Sequence, residues 1–333
     1  MKLEKKEISE ILNNWNLGKL ISFEKTAKGV VNHNWICKTS KGKYILRGVV
    51  FHKKLSYINF ELGYLNYLKK KGFGYKIPAP IKTKEGKFLI KYGKNYIWVY
   101  EFIEGRIIKK FEKPHLKEIA KMMAKYHYLI EKSKLNNGKG KGNPYVKNIL
   151  LKELGNYKSK ILRKNKRDIK DRIFLKEFSK VSPLLQTIKT EEYAKLPRYP
   201  LHRDINPENT IWNKGRLIGV IDFENVSEIN EPLIKDVVGM LQYSCRDRKY
   251  KHKLDLKLIK FFLEEYKKHH SLGDKEIGFI PDIITAGAIE DFAYQYWMWL
   301  NDPKRAKLYR LKLYSQVAQW SNKNKNWILE KLS

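Results

Sequence analysis

The chain is predicted to be an α+β protein in two lobes, an N-terminal antiparallel sheet carrying one long helix followed by a mainly helical C-terminal lobe. Three observations predict it. Short apolar runs between residues 18 and 47, parted by turn residues, read as strands. The period shifts to three and four between Leu55 and Leu68, and helical stripes dominate beyond Glu104-Gly105, interrupted by one short hairpin signal.

Each element has its own warrant. An apolar and aromatic run at 18–23, then Trp35-Ile36-Cys37, then Lys43-Tyr44-Ile45-Leu46-Arg47 after a Lys41-Gly42 turn, read as three antiparallel strands. Leu55, Ile58, Leu62, Leu65 and Leu68 share a helix face that Gly72 ends. Phe88 to Ile90 and Ile97 to Ile103 are two further strands, and Gly105 marks the change of character, so the lobes are taken as 1–104 and 105–333. Pro114 opens a helix whose apolar face runs through Leu116, Ala120, Met123, His127 and Ile130. Residues 131–150 read as an exposed connection before a charged helical region ending near Leu184. In TIWNKGRLIGVID, residues 210–222, two apolar strands flank Asn213-Lys214-Gly215-Arg216, a hairpin turn. Two stripes close the chain, Ile289, Phe292, Tyr296 and Trp299, then Tyr309, Leu313, Val317 and Trp320, with Pro303 taken to open the second helix.

Composition excludes several classes. With 42% apolar and 13% aromatic residues over 333 positions the chain can bury a sizeable core, so wholesale disorder is excluded. Cys37 and Cys245 are far apart and form no CxxC pair, which argues against a disulfide scaffold or zinc knuckle. No run reaches eighteen apolar residues and the first fifteen lack the apolar centre of a secretion signal, so a cytoplasmic enzyme without membrane insertion is expected, monomer or homodimer. The 69 Lys and Arg against 35 Asp and Glu leave a charge of +34. Such a field attracts anions of every kind, but the excess is Lys scattered through helices and turns, and no nucleic-acid motif accompanies it. A solvated surface is the expectation, and nucleic acid is not expected as a partner.

The chemistry concentrates in YPLHRDINPENTIWNKGRLIGVIDFENV, residues 199–226. Asp204 stands before a polar loop, Asn209 follows five residues later, and Asp222 ends the strand that returns from the hairpin. Singly, each reads as a turn or cap residue. Together, between apolar strands, they match what phosphoryl transfer requires: a carboxylate to orient and deprotonate the attacking hydroxyl, and hard oxygen ligands for Mg²⁺. Asp204 is read as the base, Asn209 and Asp222 as metal ligands, and His202 as a hydrogen-bonding residue that shapes the loop.

H-R-D-I-N-P-E-N followed by V-I-D-F-E resembles the catalytic and metal-binding loops of the aminoglycoside phosphotransferase and choline kinase superfamily, whose relatives include type II homoserine kinases and spore-coat kinase-like proteins. The resemblance runs from about residue 15 to about residue 320. It implies a protein-kinase-like fold, ATP and Mg²⁺ as cofactors, Asp204 as base, Asn209 and Asp222 on the metal, and Asp236 steadying the catalytic loop. It also implies that Arg47, where protein kinases carry Lys, holds the α- and β-phosphates in an ion pair with Glu61. The turn around Gly29 and Asn32 would cover the phosphates, and the backbone of Glu101, Phe102 and Ile103 would meet the adenine.

Two functional classes follow. The first is an ATP-dependent kinase that phosphorylates a hydroxyl of a small molecule: an amino alcohol, aminoglycoside, sugar or similar. Directly after Asp222 the chain runs into helix, without the long segment and anchor of a protein-substrate kinase. The second is a binding or structural protein, for example spore-coat-like, that keeps the fold with little or no turnover; Arg47, the single Gly of the loop and Glu224 in place of the Gly of D-F-G speak for it. For the first class the acceptor is expected to be a cation, held by Glu290, Asp291, Tyr294 and Trp297 of PDIITAGAIEDFAYQYWMWL.

Overall fold

The computed structural model describes residues 3–26, 32–49, 53–135 and 147–332. In chain order the elements are α1 (Lys5–Leu12), β1 (Leu20–Lys25), β2 (His33–Thr39), β3 (Gly42–Val49), α2 (Leu55–Lys70), β4 (Ile90–Tyr92), β5 (Asn95–Glu101) and α3 (Lys113–Glu131). Then follow α4 (Lys147–Leu162), α5 (Ile169–Val181), α6 (Thr190–Ala194), β6 (Tyr199–Pro200), β7 (Thr210–Asn213), β8 (Arg216–Val220), β9 (Asn230–Glu231) and α7 (Leu233–Ser244). The chain ends in α8 (Leu256–Lys267), α9 (Asp274–Ile277), α10 (Ile280–Asn301), α11 (Leu308–Lys323) and α12 (Lys325–Leu332). This is the α+β protein-kinase-like architecture expected from the sequence.

Contacts divide the chain into two compact units: the described residues of Met1–Lys109, Leu129–Asn137 and Pro207–Ile229, and those of Lys110–Tyr128, Gly138–Asn206 and Asn230–Ser333. In the first, five antiparallel strands lie in the order β1-β2-β3-β5-β4. The two-residue period of a strand decides what each face does. Trp35, Cys37, Leu46, Ile97 and Val99 point to one side, where they bury with Ile8, Ile11, Leu12 and Trp15. The residues between them, Asn34, Ile36, Ile45 and Arg47, line a cavity on the other side. The pairings Trp35↔Leu46 and Leu46↔Val99 hold this register, and a one-residue slip would send Arg47 into the apolar core. The helix α1 was not foreseen, because its apolar positions are few and charged residues separate them.

The hairpin β7–β8 belongs to the first unit through backbone pairing. Arg106 exchanges two hydrogen bonds with Trp212, each 2.9 Å, and Lys76 donates to Ile218 O and accepts from Val220 N–H at 2.8 and 2.9 Å. Gly105 permits the first approach, since a Cβ there would lie 2.9 Å from the Trp212 carbonyl oxygen and 2.5 Å from the Ile211 side chain. The turn has positive φ at both central residues, Lys214 (46°) and Gly215 (77°), as a two-residue hairpin demands.

In the second unit α10 packs on α11, α5, α4 and α7. Phe174 stacks on Phe292 with centroids 5.3 Å apart, and the Tyr296 hydroxyl donates to buried Asp171 at 2.8 Å. The helix expected to open at Pro303 begins at Leu308 instead. Proline tolerates the first turn of a helix without requiring one, and residues 303–305 form a turn. Residues 147–150, expected within a connection, already belong to α4. Cys37 and Cys245 are free and buried, and burial pushes both thiols up to about 12. Among the described residues no helix is long and apolar enough to cross a membrane.

Candidate active site

The cavity in the first unit has a volume of about 480 Å³. Its walls are apolar, with Ile36, Ile45, Tyr100, Phe102, Ile103, Ile211 and Ile221, and one region is polar, with Asn32, Arg47, Asn209, Asp222 and Glu224. An apolar sleeve with convergent polar groups is the usual form of a small-molecule site. Of the residues singled out in the sequence, Asn32, Arg47, Phe102, Ile103, Asn209 and Asp222 line it together. Glu101 is exposed and is not among the lining residues, while Gly29 lies outside the described residues.

The backbone at 101–103 is less open than expected. The Phe102 N–H already donates to Lys43 O at 2.9 Å just beyond the end of the β3–β5 ladder, so this donor is spent and an adenine would have to use its neighbours.

Arg47 is 5% exposed and its partners differ from the expectation. Its Nη2 lies 3.4 Å from Glu224 Oε2 and 3.6 Å from Asp222 Oδ1. Burial lowers the basicity of the guanidinium, but Glu61, Asp222, Tyr100 and Glu224 around it more than restore it, so the net direction is upward. Glu61 is buried on the inner face of α2 beside Ile58, Leu62 and Leu65, and its direct partner is Lys53, 2.9 Å away. In place of the expected Arg47–Glu61 ion pair, Arg47 pairs with Glu224 and Asp222, and Lys53 pairs with Glu61. Among the described residues, Arg47 Nε and Glu61 Oε1 are both buried without a hydrogen-bond partner. Lys53 Nζ also reaches the Glu224 carbonyl at 3.3 Å.

Glu224 is therefore a site residue that the sequence reading missed. It follows Asp222 by two positions, accepts the Asn32 amide at 2.9 Å as well as Arg47, and has its acidity weakened by burial and by the Asp222 charge, against Arg47, Lys53 and Asn32. The two departures from the protein-kinase pattern, Arg47 and Glu224, are bonded to each other. Asp222 itself has a φ of 68°, a left-handed conformation that costs a non-glycine residue about 1 kcal/mol or more.

Asn209 and Asp222 offer hard oxygen atoms of the kind that suit Mg²⁺. Among the described residues no group of three His, Cys, Asp or Glu side chains could hold a metal by itself. A magnesium ion that arrives with nucleotide phosphates needs only one or two protein oxygens, so this donor set fits.

Asp204 belongs to the second unit, in the loop between β6 and the residues of the hairpin. The loop is held from several directions. The Asp204 N–H donates to Nδ1 of buried His202 at 3.2 Å, as expected of a loop-shaping histidine, and the Asn206 amide donates to Asp204 Oδ1 at 2.8 Å. Arg203 has a φ of 59° and donates its N–H to Asp236 Oδ1 at 2.7 Å. Asp236 Oδ2 lies 3.2 Å from His127 Nε2, whose Nδ1 is 2.8 Å from the Tyr266 hydroxyl. With Asp236 ionised, the imidazole donates to it from Nε2 and accepts the tyrosine proton at Nδ1. This buried relay fastens the strained residue next to Asp204. Asn206 and His127 were not read as parts of the site.

Residues 22–249 match the phosphotransferase enzyme family. The chain belongs to that family. Relatives of this phosphotransferase include the homoserine kinase of Rhizobium meliloti (strain 1021), 26% identical over 302 residues, spanning 90% of this chain and 86% of the relative. The homoserine kinase of Bradyrhizobium sp. (strain ORS 278) is 24% identical over 90% of this chain and 87% of its own. Among solved structures, spectinomycin phosphotransferase in complex with ADP and spectinomycin has a TM-score of 0.68 at 13% identity, covering 98% of this chain and 99% of that one. A microcompartment-associated aminopropanol kinase has a TM-score of 0.63 at 11% identity, covering 99% and 100%. At such identities the structural likeness speaks for the fold of the phosphotransferase.

The acceptor face expected on α10 is engaged within the second unit. Glu290 pairs with Lys235 at 3.2 Å, and Asp291 accepts the Tyr243 hydroxyl at 2.6 and 2.8 Å. Burial pushes the Asp291 carboxyl up to about 6, against the Tyr243 hydrogen bond. Tyr294 and Trp297 are exposed and stacked, with centroids 5.7 Å apart. Both carboxylates therefore already have partners within the unit, Asp291 a hydroxyl and Glu290 an ammonium group.

The Lys53–Glu61 pair carries a prediction of its own. Glu61 is a carboxylate buried on an apolar helix face, and removing its cation leaves that charge uncompensated. Lys53→Met should lower the unfolding free energy by about 3 kcal/mol in a denaturant titration, and Lys53→Arg by less than about 1. A loss below about 1 kcal/mol in the methionine variant would mean that Arg47 balances Glu61 unaided.

Proposed function

We propose that this phosphotransferase moves the γ-phosphate of ATP to the hydroxyl of a small molecule, and that the acceptor is a hydroxy amino acid of the homoserine kind. One observation carries the first part: a single cavity gathers an apolar sleeve with Arg47, Asn209 and Asp222 at its polar region. The second part rests on relatives named homoserine kinase that align over nine tenths of the chain.

In this reading Ile36, Ile45 and Ile211 hold the adenine by burial, with the backbone of Glu101 and Ile103 as its polar partners. Arg47 grips phosphate oxygens through a guanidinium already desolvated and charged. Asn209 and Asp222 hold a magnesium ion, which when bound would neutralise charge on the transferring phosphate. Asp204, kept in place by His202, Asn206 and the Asp236–His127 relay, accepts the proton of the acceptor hydroxyl as its oxygen attacks. Arg47 and Glu224 compensate for each other chemically, which favours an active enzyme over an inactive scaffold. The test is ATP turnover against L-homoserine, amino alcohols, sugars and aminoglycosides, with the phosphorylated product identified by mass. Homoserine is expected to give the highest kcat/KM. ATP binding without phosphorylation of any acceptor would overturn the proposal.

A further inference from the structure

Resting on the reading of the chain as a hydroxy-amino-acid kinase, we infer that Lys235 and Glu290 form the specificity clamp for the acceptor, Lys235 holding its carboxylate and Glu290 its ammonium group.

The position of Lys235 is tied to the base by covalent neighbours. Lys235 precedes Asp236, Asp236 accepts the Arg203 N–H at 2.7 Å, and Arg203 precedes Asp204. The first turn of α7 and the catalytic loop are thus joined through one hydrogen bond, with a single residue on each side of it. Consecutive Cα atoms are about 3.8 Å apart, so the backbone at Lys235 lies close to the backbone at Asp204.

Besides Arg203, whose charge also acts on Lys235, the charges around it form a closed pair and an open pair. Arg198 and Glu231, in and beside the β6–β9 ladder, are each 6% exposed in their side chains and 3.3 Å apart, and the Tyr193 hydroxyl donates to the same Glu231 oxygen at 3.2 Å. That pair is sealed. Lys235 and Glu290 are left to each other at 3.2 Å, with side chains 17% and 34% exposed, so a ligand can reach them. Burial lowers the basicity of Lys235, but Glu290 and Glu231 outweigh it and keep the ammonium charged. On α10 the residues at spacings of four and seven from Glu290 are Tyr294 and Trp297, both exposed, so the open pair continues into an aromatic shelf on the same helix face.

A partly buried ion pair adds little net stability over an apolar pair of the same shape, so its presence beside a catalytic loop points to a use. A zwitterion is the ligand that exchanges with it at least cost. Its carboxylate takes the place of Glu290 on Lys235 and its ammonium takes the place of Lys235 on Glu290, and no charge is left alone. An amino alcohol or a hydroxy acid would supply one charge and strand the other, which is discrimination by an unpaired buried group.

The experiment uses the full chain with three acceptors of similar length: L-homoserine, 3-aminopropan-1-ol and 4-hydroxybutyrate. The wild type should favour homoserine over both by about 100-fold or more in kcat/KM. Lys235→Met should erase most of the preference over aminopropanol, and Glu290→Gln most of the preference over hydroxybutyrate, through KM for the acceptor and with KM for ATP unchanged. The double exchange Lys235→Glu with Glu290→Lys keeps a pair and should restore the melting temperature, but not homoserine turnover, because the charges then face the wrong ends of the ligand. Equal loss with all three acceptors, or recovery of homoserine turnover in the exchange variant, would make the pair structural and overturn the clamp while leaving the kinase reading in place. A wild type that phosphorylates none of the three would remove the hydroxy-amino-acid reading, and the clamp with it.

Discussion

Asp204→Asn is expected to lower kcat by about 10³-fold, with nucleotide affinity and melting temperature close to those of the wild type. The substitution keeps the shape of the side chain and an oxygen that can accept the Asn206 amide, which donates to Asp204 Oδ1 at 2.8 Å. It removes the negative charge and with it the capacity to take a proton. The surrounding loop has its own supports, the Arg203–Asp236 bond and the buried His127–Tyr266 pair behind it, and none of these involves the altered carboxylate. The loss should therefore appear in kcat and scarcely in KM for ATP. Single-turnover measurement with saturating nucleotide is the check. A variant that keeps more than about a tenth of the parental rate would exclude Asp204 as the base.

Asp222→Ala should weaken use of magnesium-ATP by about 100-fold in kcat/KM, the loss associated with removing one preorganised electrostatic group from a phosphate site. Two effects add. The change removes the carboxylate proposed to touch the ion, and it also removes one of the two acids in direct contact with Arg47, leaving Glu224 at 3.4 Å. The Arg47–Glu224 pair then has less competition, and the guanidinium is less available to phosphate. Fold stability should change little, because relief of the like charge beside Glu224 offsets the cost of alanine at a left-handed φ of 68°, where aspartate is better tolerated. Titration of magnesium at fixed ATP, followed by nucleotide binding, measures it. An unchanged magnesium dependence would remove Asp222 from the metal site.

Much of this molecule was legible in local pattern. Alternation in β2 and β3 separates Trp35, Cys37 and Leu46 from Asn34, Ile36 and Arg47, and the structure keeps that division as a core face and a cavity face. The α2 face was readable through Leu62 and Leu65, and it carries Glu61 inward with them. The hairpin at 210–220 followed from two apolar strands around Lys214-Gly215. Helix α1 and the true start of α11 were not legible, because short amphipathic segments and a proline several residues early look the same in loops.

By itself the sequence determined the α+β protein-kinase-like fold, the membership of the phosphotransferase family and the presence of Asp204, Asn209 and Asp222 at their spacing. These depend on periodicity and on residues close along the chain, where covalent geometry limits what can happen. Only the tertiary structure decided which charges meet. Glu61 is held by Lys53 rather than Arg47, Arg47 reaches Glu224 some 177 positions away, and Glu290 is engaged by Lys235. With 69 Lys and Arg in the chain, nothing local distinguishes Lys53 or Lys235 from the rest. Ion partners are chosen by distance and burial after the backbone has closed, and those two quantities have no trace in a linear string of residues.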